Sequence, residues 1–216
     1  MEQKVIVQST RSITVEHPLL KVWVYAAQII IYPFLLIARL LIVRNHLHRN
    51  TASHSLKKNV NYVLYANHQS RFDPFIICAS LPFNAIKQLL PFRFFVENSY
   101  FKGSISKGFL GSMGGFPAHY EEGKSYGLDR ARALMASTQT IVIFPPGMRT
   151  RERIAKPGIS VLATEPDTYL IPAHIDWKHR LHCHVHIGTP IKVDVTQAPD
   201  QLMQHVYELS SQTSST

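Results

Sequence analysis

The chain has only two cysteines among its 216 residues, Cys78 and Cys183, far apart and in apolar company. No C-x-x-C pair and no disulfide framework can be built from them, which points to a reducing compartment. Charged residues are scarce at 17%, and acids are scarcer than bases: 14 Asp and Glu face 23 Lys and Arg, for a formal net charge of +9. Such a field attracts polyanions, whether nucleic acid or an anionic membrane face. There is no internal repeat, and the one low-complexity patch is a Ser/Thr-rich tail at 210–216. A hydrophobic share of 45% excludes a disordered chain.

Several chemical signatures are missing as well. There is no G-x-S-x-G, and neither cysteine has a nucleophile motif around it. "GSISKG" is followed by Phe109 and Leu110 rather than Lys and Ser/Thr, and "GKS" has Ala118 where a phosphate loop needs its first glycine. Neither stretch is a Walker loop. The aromatics fall in apolar runs instead of interleaving with basic residues, so nucleic acid is not an expected partner.

What is present begins with "LLKVWVYAAQIIIYPFLLIARLLIV", residues 19–43, charged only at Lys21 and Arg39. The apolar stretch between those two, as a helix, covers roughly 25 Å, slightly under a bilayer core of about 30 Å. Lys21 and Arg39 can snorkel to the interfaces of a short span. Pro33 can instead bend the helix into one leaflet. Both geometries stay open, and a buried core helix is the bland alternative. The run is too long, and starts too late, for a signal peptide. Arg44, Arg49, Lys57 and Lys58 follow it, which puts the next domain on the cytoplasmic side. The polar stretch 44–58 is the expected boundary, with residues 1–45 a membrane-associated helical segment and 46–216 the folded domain.

Beyond that boundary strands and helices alternate. Residues 60–67 read as a buried strand, and "DPFIICASL" as a helix with Asp73 at its N-cap and Pro74 at its first position. Residues 127–137 read as helix, 140–144 as strand, 158–164 as a short helix and 168–175 as strand. "LHCHVHI" alternates like a half-exposed strand, and "APDQLMQHVYELS" closes the chain as a helix. The expected fold is α/β, with a single mixed, largely parallel sheet flanked by helices.

The densest chemical signal is "NHQSRFDPF", residues 67–75. His68 and Asp73 would stand about 140° apart on one helix, so they meet only if His68 lies in the turn and Asp73 at the helix start. A carboxylate on one imidazole nitrogen fixes the tautomer and leaves the other nitrogen as a base. The alternative is a solvated turn histidine with Asp73 acting only as helix cap. With no protein nucleophile beside it, the base must act on a nucleophile that the substrate supplies, such as a hydroxyl. His182, His184 and His186 share one strand face. They have metal-binding spacing, but no carboxylate or cysteine is expected on that face, and no metal is expected there. Arg149 and Arg151 follow the strand–Pro–Gly break "IFPPGMRTR"; they are either solvated or aimed at a phosphate.

Taken in order, these pieces resemble the glycerolipid acyltransferase family typified by bacterial 1-acylglycerol-3-phosphate acyltransferases. "NHQSRFD" is similar to its N-H-x4-D block, and "LGSMGGFPAHY" sits in the place of its second block. "FPPGMRTR" resembles F-P-E-G-T-R-S-R, and "KPGISVLA", "TYLIPAHI" and "IGTPI" resemble the later features. The resemblance runs from about residue 60 to 192. It implies acyl transfer from acyl-CoA or acyl carrier protein to a lysolipid hydroxyl, by default that of 1-acylglycerol-3-phosphate, with no further cofactor. His68 would be the base and Asp73 its orienter. Arg149 would bind the acceptor phosphate where Gly147 lets the backbone approach, and Asn67, Arg71, Arg151 and Lys156 would join the substrate site. The hydrophobic segment would hold the domain among membrane lipids. Pro146 and Met148 replace the family's glutamate and threonine, and Ala118 and His119 stand where charged residues are expected. A different lipid alcohol, or a lipid-binding protein without turnover, therefore remains an alternative.

Overall fold

The computed structural model describes residues 17–47, 56–118, 120–121, 124–146, 155–179, 182–193 and 197–211. In chain order its elements are α1 (Pro18–Ile42), β1 (Val43–Leu47), β2 (Asn61–Ala66), α2 (Asp73–Ser80), α3 (Phe83–Leu89), β3 (Phe92–Val96) and α4 (Ser104–Ser112). Then follow β4 (Gly115–Pro117), the small hairpin β5 (Tyr120–Glu121) and β6 (Lys124–Ser125), α5 (Tyr126–Ala136), β7 (Thr140–Ile143) and α6 (Gly158–Ala163). The chain continues through β8 (Thr168–His179), β9 (His182–Ile187) and β10 (Ile191–Lys192) to α7 (Pro199–Ser211).

One sheet runs in the order β1-β9-β8-β2-β7-β3-β4, with β10 also on β8. The pairs β8–β2, β2–β7, β7–β3 and β3–β4 are parallel, and β8–β9 is antiparallel. The sheet is thus mixed and largely parallel, with helices on both faces. Strand β2 is central, and "NYVLYA" is buried on both faces after its first residue, as a parallel interior strand must be. Its alternation divides the core. Tyr62, Leu64 and Ala66 pack with Ile77, Leu81, Ile86 and Leu89 of α2 and α3 on one side. Val63 and Tyr65 pack with Leu134, Ile159, Leu162, Leu202 and Val206 of α5, α6 and α7 on the other.

One expectation changes at the polar connector, and the late strands gain an unexpected neighbour. Residues 43–47 pair in parallel with β9, so part of the stretch read as a connector belongs to the sheet. Strand β9 is covered by β1 on one side and β8 on the other, and His186 is buried. Burial along β9 alternates from His182 to Val185 as its sequence does, and His186 alone departs from the half-exposed face; what the alternation could not reveal is that β1, from far earlier in the chain, pairs along the strand's edge.

The apolar run forms one helix, and it does not stand clear of the domain. Val24 and Gln28 are buried against the sheet's flank. Gln28 Nε2 donates to the carbonyls of Phe92 (2.7 Å) and Met113 (3.0 Å), and its oxygen accepts the Phe92 N–H at 2.9 Å. Trp23 Nε1 donates to Ser112 Oγ, and the Tyr32 ring stacks on Phe83. Gly114, at φ +92°, lets the chain turn tightly under Gln28, where any Cβ would strike the Phe92 carbonyl. The Lys21 ammonium binds the Ser137 carbonyl and Thr138 Oγ1, so it is held by the domain rather than snorkelling to an interface. The opposite face of α1 leaves Leu19, Val22, Trp23, Ile30 and Phe34 exposed. Residues 18–37 are long and apolar enough to cross a membrane.

Candidate active site

Strand β2 ends at Ala66, and the next residues leave the carboxyl edge of the parallel sheet, where α/β folds form their crevices. Asn67 is buried and bridges to β8. Its Nδ2 donates to the Ile175 carbonyl at 2.7 Å, and its Oδ1 accepts the Ile175 N–H at 2.8 Å. The amide thus extends the β2–β8 ladder by one side chain and fixes the exit direction of the turn. Gln69 adds a second tie, accepting the Trp177 N–H through its Oε1.

That turn carries His68 back towards the start of α2. Its Nδ1 lies 2.8 Å from Asp73 Oδ2, and Asp73 is fully buried. The same oxygen accepts the N–H groups of Gln69 (2.6 Å) and Ser70 (2.8 Å), while Oδ1 accepts Trp177 Nε1–H at 2.8 Å. Four donors therefore converge on one carboxylate, which satisfies a buried charge. Asp73 is the first residue of α2 rather than its N-cap. Phe72 holds the cap position with no side-chain cap bond, and the Asp73 carboxylate turns back into the loop. Pro74 follows in the first turn, where a missing N–H costs nothing.

The carboxylate acts as acceptor for Nδ1–H, and this leaves Nε2 as the basic nitrogen. The imidazole is part-exposed and stacks on Phe144, with centroids 4.5 Å apart and planes 26° off parallel. Phe144 lies just beyond β7, in parallel register beside β2, so two strand ends clamp one ring. The thiols of both cysteines are buried. Burial, with the Asp73 charge second, pushes Cys183 up to about 12, and burial raises Cys78 further. Neither is a competent nucleophile near neutral pH.

The other expected site residues fall as follows. Arg71 is exposed, its guanidinium 5.8 Å from the centre of the Tyr100 ring. Lys156 is exposed, and its backbone N–H donates to the Pro145 carbonyl at 2.8 Å. That bond ties the two ends of the connecting segment together next to Phe144, and so roots it beside His68. Pro145 and Pro146 are buried. Gly147, Met148, Arg149 and Arg151 lie outside the described residues. The histidine face of β9 is not brought together as a triad. His182 and His184 are half-buried with their Nε2 atoms 3.1 Å apart, while His186 packs at 6.1 Å from His174. The fold does set a carboxylate on that face, since Asp176 is paired with His184, contrary to expectation. Among the described residues no group of three His, Cys, Asp or Glu has metal-holding geometry.

Sequence reasoning missed three contributors: Trp177, Phe144 and Gln69. Trp177 lies past the expected end of β8, which runs to His179. Phe144 read as the last apolar residue of a strand. Only the parallel pairing of β2 with β7 and β8 puts them around His68.

The fold and site together define a class: an α/β protein whose part-exposed histidine, backed by a buried aspartate, can take a proton from a bound hydroxyl, without a protein nucleophile. The chain belongs to the acyltransferase family, whose sequence model matches residues 41–176, well over half its length. In fold it is similar to the crystal structure of the 1-acyl-sn-glycerophosphate (LPA) acyltransferase PlsC from Thermotoga maritima, with a TM-score of 0.56 at 14% identity. The match covers 94% of this chain and 96% of that one. No curated protein matches the chain significantly in sequence.

Proposed function

We propose that the protein transfers an acyl group from acyl-CoA or acyl carrier protein to the hydroxyl of a lysolipid, with 1-acylglycerol-3-phosphate the first candidate, in phospholipid synthesis. The observation that carries this reading is the His68–Asp73 pair, held by four donors at the carboxyl edge of the sheet. His68 Nε2 takes the hydroxyl proton while the oxygen attacks the thioester carbonyl. The tetrahedral adduct collapses, the C–S bond breaks, and the imidazolium returns the proton to the departing thiolate. The products are an ester and a free thiol, with the histidine regenerated. Asp73 steadies the imidazolium without accepting its proton. Arg149 and Arg151, on the segment rooted beside His68, are the proposed acceptor-phosphate ligands, with Gly147, Arg71 and Lys156 as further contributors.

Helix α1 supports membrane association in the plane of one leaflet. A helix docked along the domain through Lys21, Val24, Gln28 and Tyr32 cannot also cross the bilayer without carrying the domain in with it. Its exposed apolar face is the membrane-side surface in this reading. The domain then faces the cytoplasm, where a soluble thioester donor is available.

The test is turnover by the purified protein with acyl-CoA or acyl carrier protein and a panel of lysolipids, beside His68→Ala. The expected result is ester formation with at least one acceptor, reduced about 10³-fold or more in the variant. Full activity in His68→Ala removes the proposed base. Lysolipid binding with no turnover across the panel replaces catalysis by a binding role.

A further inference from the structure

At the opposite edge of the sheet from His68 lies a cleft of about 460 Å³. It opens where β2, β7 and β3 begin, and the six residues of β2 alone place it roughly 20 Å from the catalytic edge. Lys21, Lys57 and Lys58 stand on its walls, and no Asp or Glu is among its described lining residues. The rest of the surface is mostly apolar, including Val22 and Tyr25 of α1 and Leu90. Two of the ammonium groups are held in place, that of Lys21 by the Ser137 carbonyl and Thr138 Oγ1 and that of Lys57 by Tyr169. Lys57 Nζ donates to Tyr169 Oη at 2.6 Å and sits 4.8 Å from the centre of that ring. This bond raises its pKa, so it stays an ammonium at any physiological pH.

A pocket that combines three lysines with a mostly apolar surface fits a molecule with both characters. Its apolar wall continues into the exposed face of α1, where Leu19, Val22 and Trp23 are 71%, 64% and 60% exposed. We propose that this cleft binds the anionic headgroup of a membrane phospholipid that is not the acyl acceptor, with the first part of that lipid's chains along Val22 and Tyr25. The site fixes how the domain sits on an anionic bilayer, with α1 lying in the plane and the lysines gripping one headgroup at its start. Simple charge attraction orients nothing; a walled cleft continuous with the exposed apolar face of α1 does.

The experiment labels the intact protein with an amine-acetylating reagent and reads each lysine by mass spectrometry. The expected result is protection of Lys57 and Lys58 by phosphatidylcholine vesicles containing about 30 mol% phosphatidylglycerol, and not by pure phosphatidylcholine vesicles. No protection overturns the proposal. Equal protection by inorganic phosphate alone makes the cleft a free-anion site and also overturns it, as does protection by acyl carrier protein without vesicles. In sedimentation with the same vesicles, Lys57→Gln/Lys58→Gln is expected to bind more weakly by about fivefold per lysine. Lys102→Gln/Lys178→Gln, with the same charge loss at the carboxyl edge of the sheet and away from the cleft, is expected to bind nearly as wild type. Equal weakening in the two double variants assigns the attraction to the surface at large and refutes the cleft.

Discussion

Replacing Asp73 with Asn probes the assembly on which the base depends, and its size follows from the hydrogen bonds. His68 Nδ1 and the Gln69 and Ser70 N–H groups all meet Oδ2, whereas Trp177 Nε1–H alone meets Oδ1. Backbone donors cannot reverse, so the asparagine oxygen takes the Oδ2 place and its NH2 group is turned to Trp177. Two donors then face each other where a bond stood, at a cost of about 1–3 kcal/mol. The remaining three bonds lose their charge assistance, roughly 1 kcal/mol each, and the relief of a buried charge offsets part of that. The net loss is about 3 kcal/mol of stability, or roughly 6–12 °C in Tm for a domain of this size. Catalysis suffers differently. The amide oxygen still accepts Nδ1–H, so the tautomer is kept and only the charge that steadies the imidazolium goes. A loss of about 3 kcal/mol there is roughly 10² in kcat/KM. The assays are thermal melting and thiol release from acyl-CoA. Trp177→Phe, added to the Asp73→Asn variant, is expected to return about 1–2 kcal/mol of the stability, because it removes the opposed donor. Wild-type turnover in Asp73→Asn, or a Trp177→Phe change with no recovery, refutes the reasoning.

Three more outcomes follow from the same structure. Gln28→Leu removes three buried hydrogen bonds that dock α1, leaving the Phe92 and Met113 groups facing an apolar side chain; it is expected to cost about 3 kcal/mol in a melting experiment while adding apolarity to the helix. Cys183, raised from its ordinary 9.0 to about 12, holds its proton at about pH 8, so neither thiol should react with a disulfide reagent until denaturant is added. The unfolded thiol loses its proton first, so the Cys183 contribution to stability is full below pH 9 and is lost progressively towards about pH 12, as an alkaline titration of stability would record.

Much of the fold was legible because its signals are local. The buried run "VNYVLYAN", the Asp-Pro helix start and the last helix each follow from neighbours within a few residues. The stretch from Phe83 to Pro117 was not legible. Strand β3 is five residues long and α4 begins inside "GSISKG", a glycine-rich stretch that carries little helical period. The place of the histidine strand inside the sheet was not legible for the same kind of reason, since its neighbour β1 comes from some 140 residues earlier.

By itself, the sequence determined the local patterns on which the proposed chemistry rests. It placed a histidine five residues before a helix-starting aspartate, withheld any nucleophile motif, and set a long apolar run before a basic α/β domain. Spacing along the chain suffices for each of these, because each is a local pattern. Only the tertiary structure decided what surrounds His68. Trp177 reaches Asp73, and Phe144 stacks on His68, because β8 and β7 lie parallel on either side of β2 and end at the same edge. The tertiary structure also decided that Lys21 and Gln28 bind the domain, turning an apolar helix that has the length of a span into one with a docked face. Those contacts join residues some 60 to more than 100 positions apart, and no local pattern of side chains encodes which distant backbone will meet them.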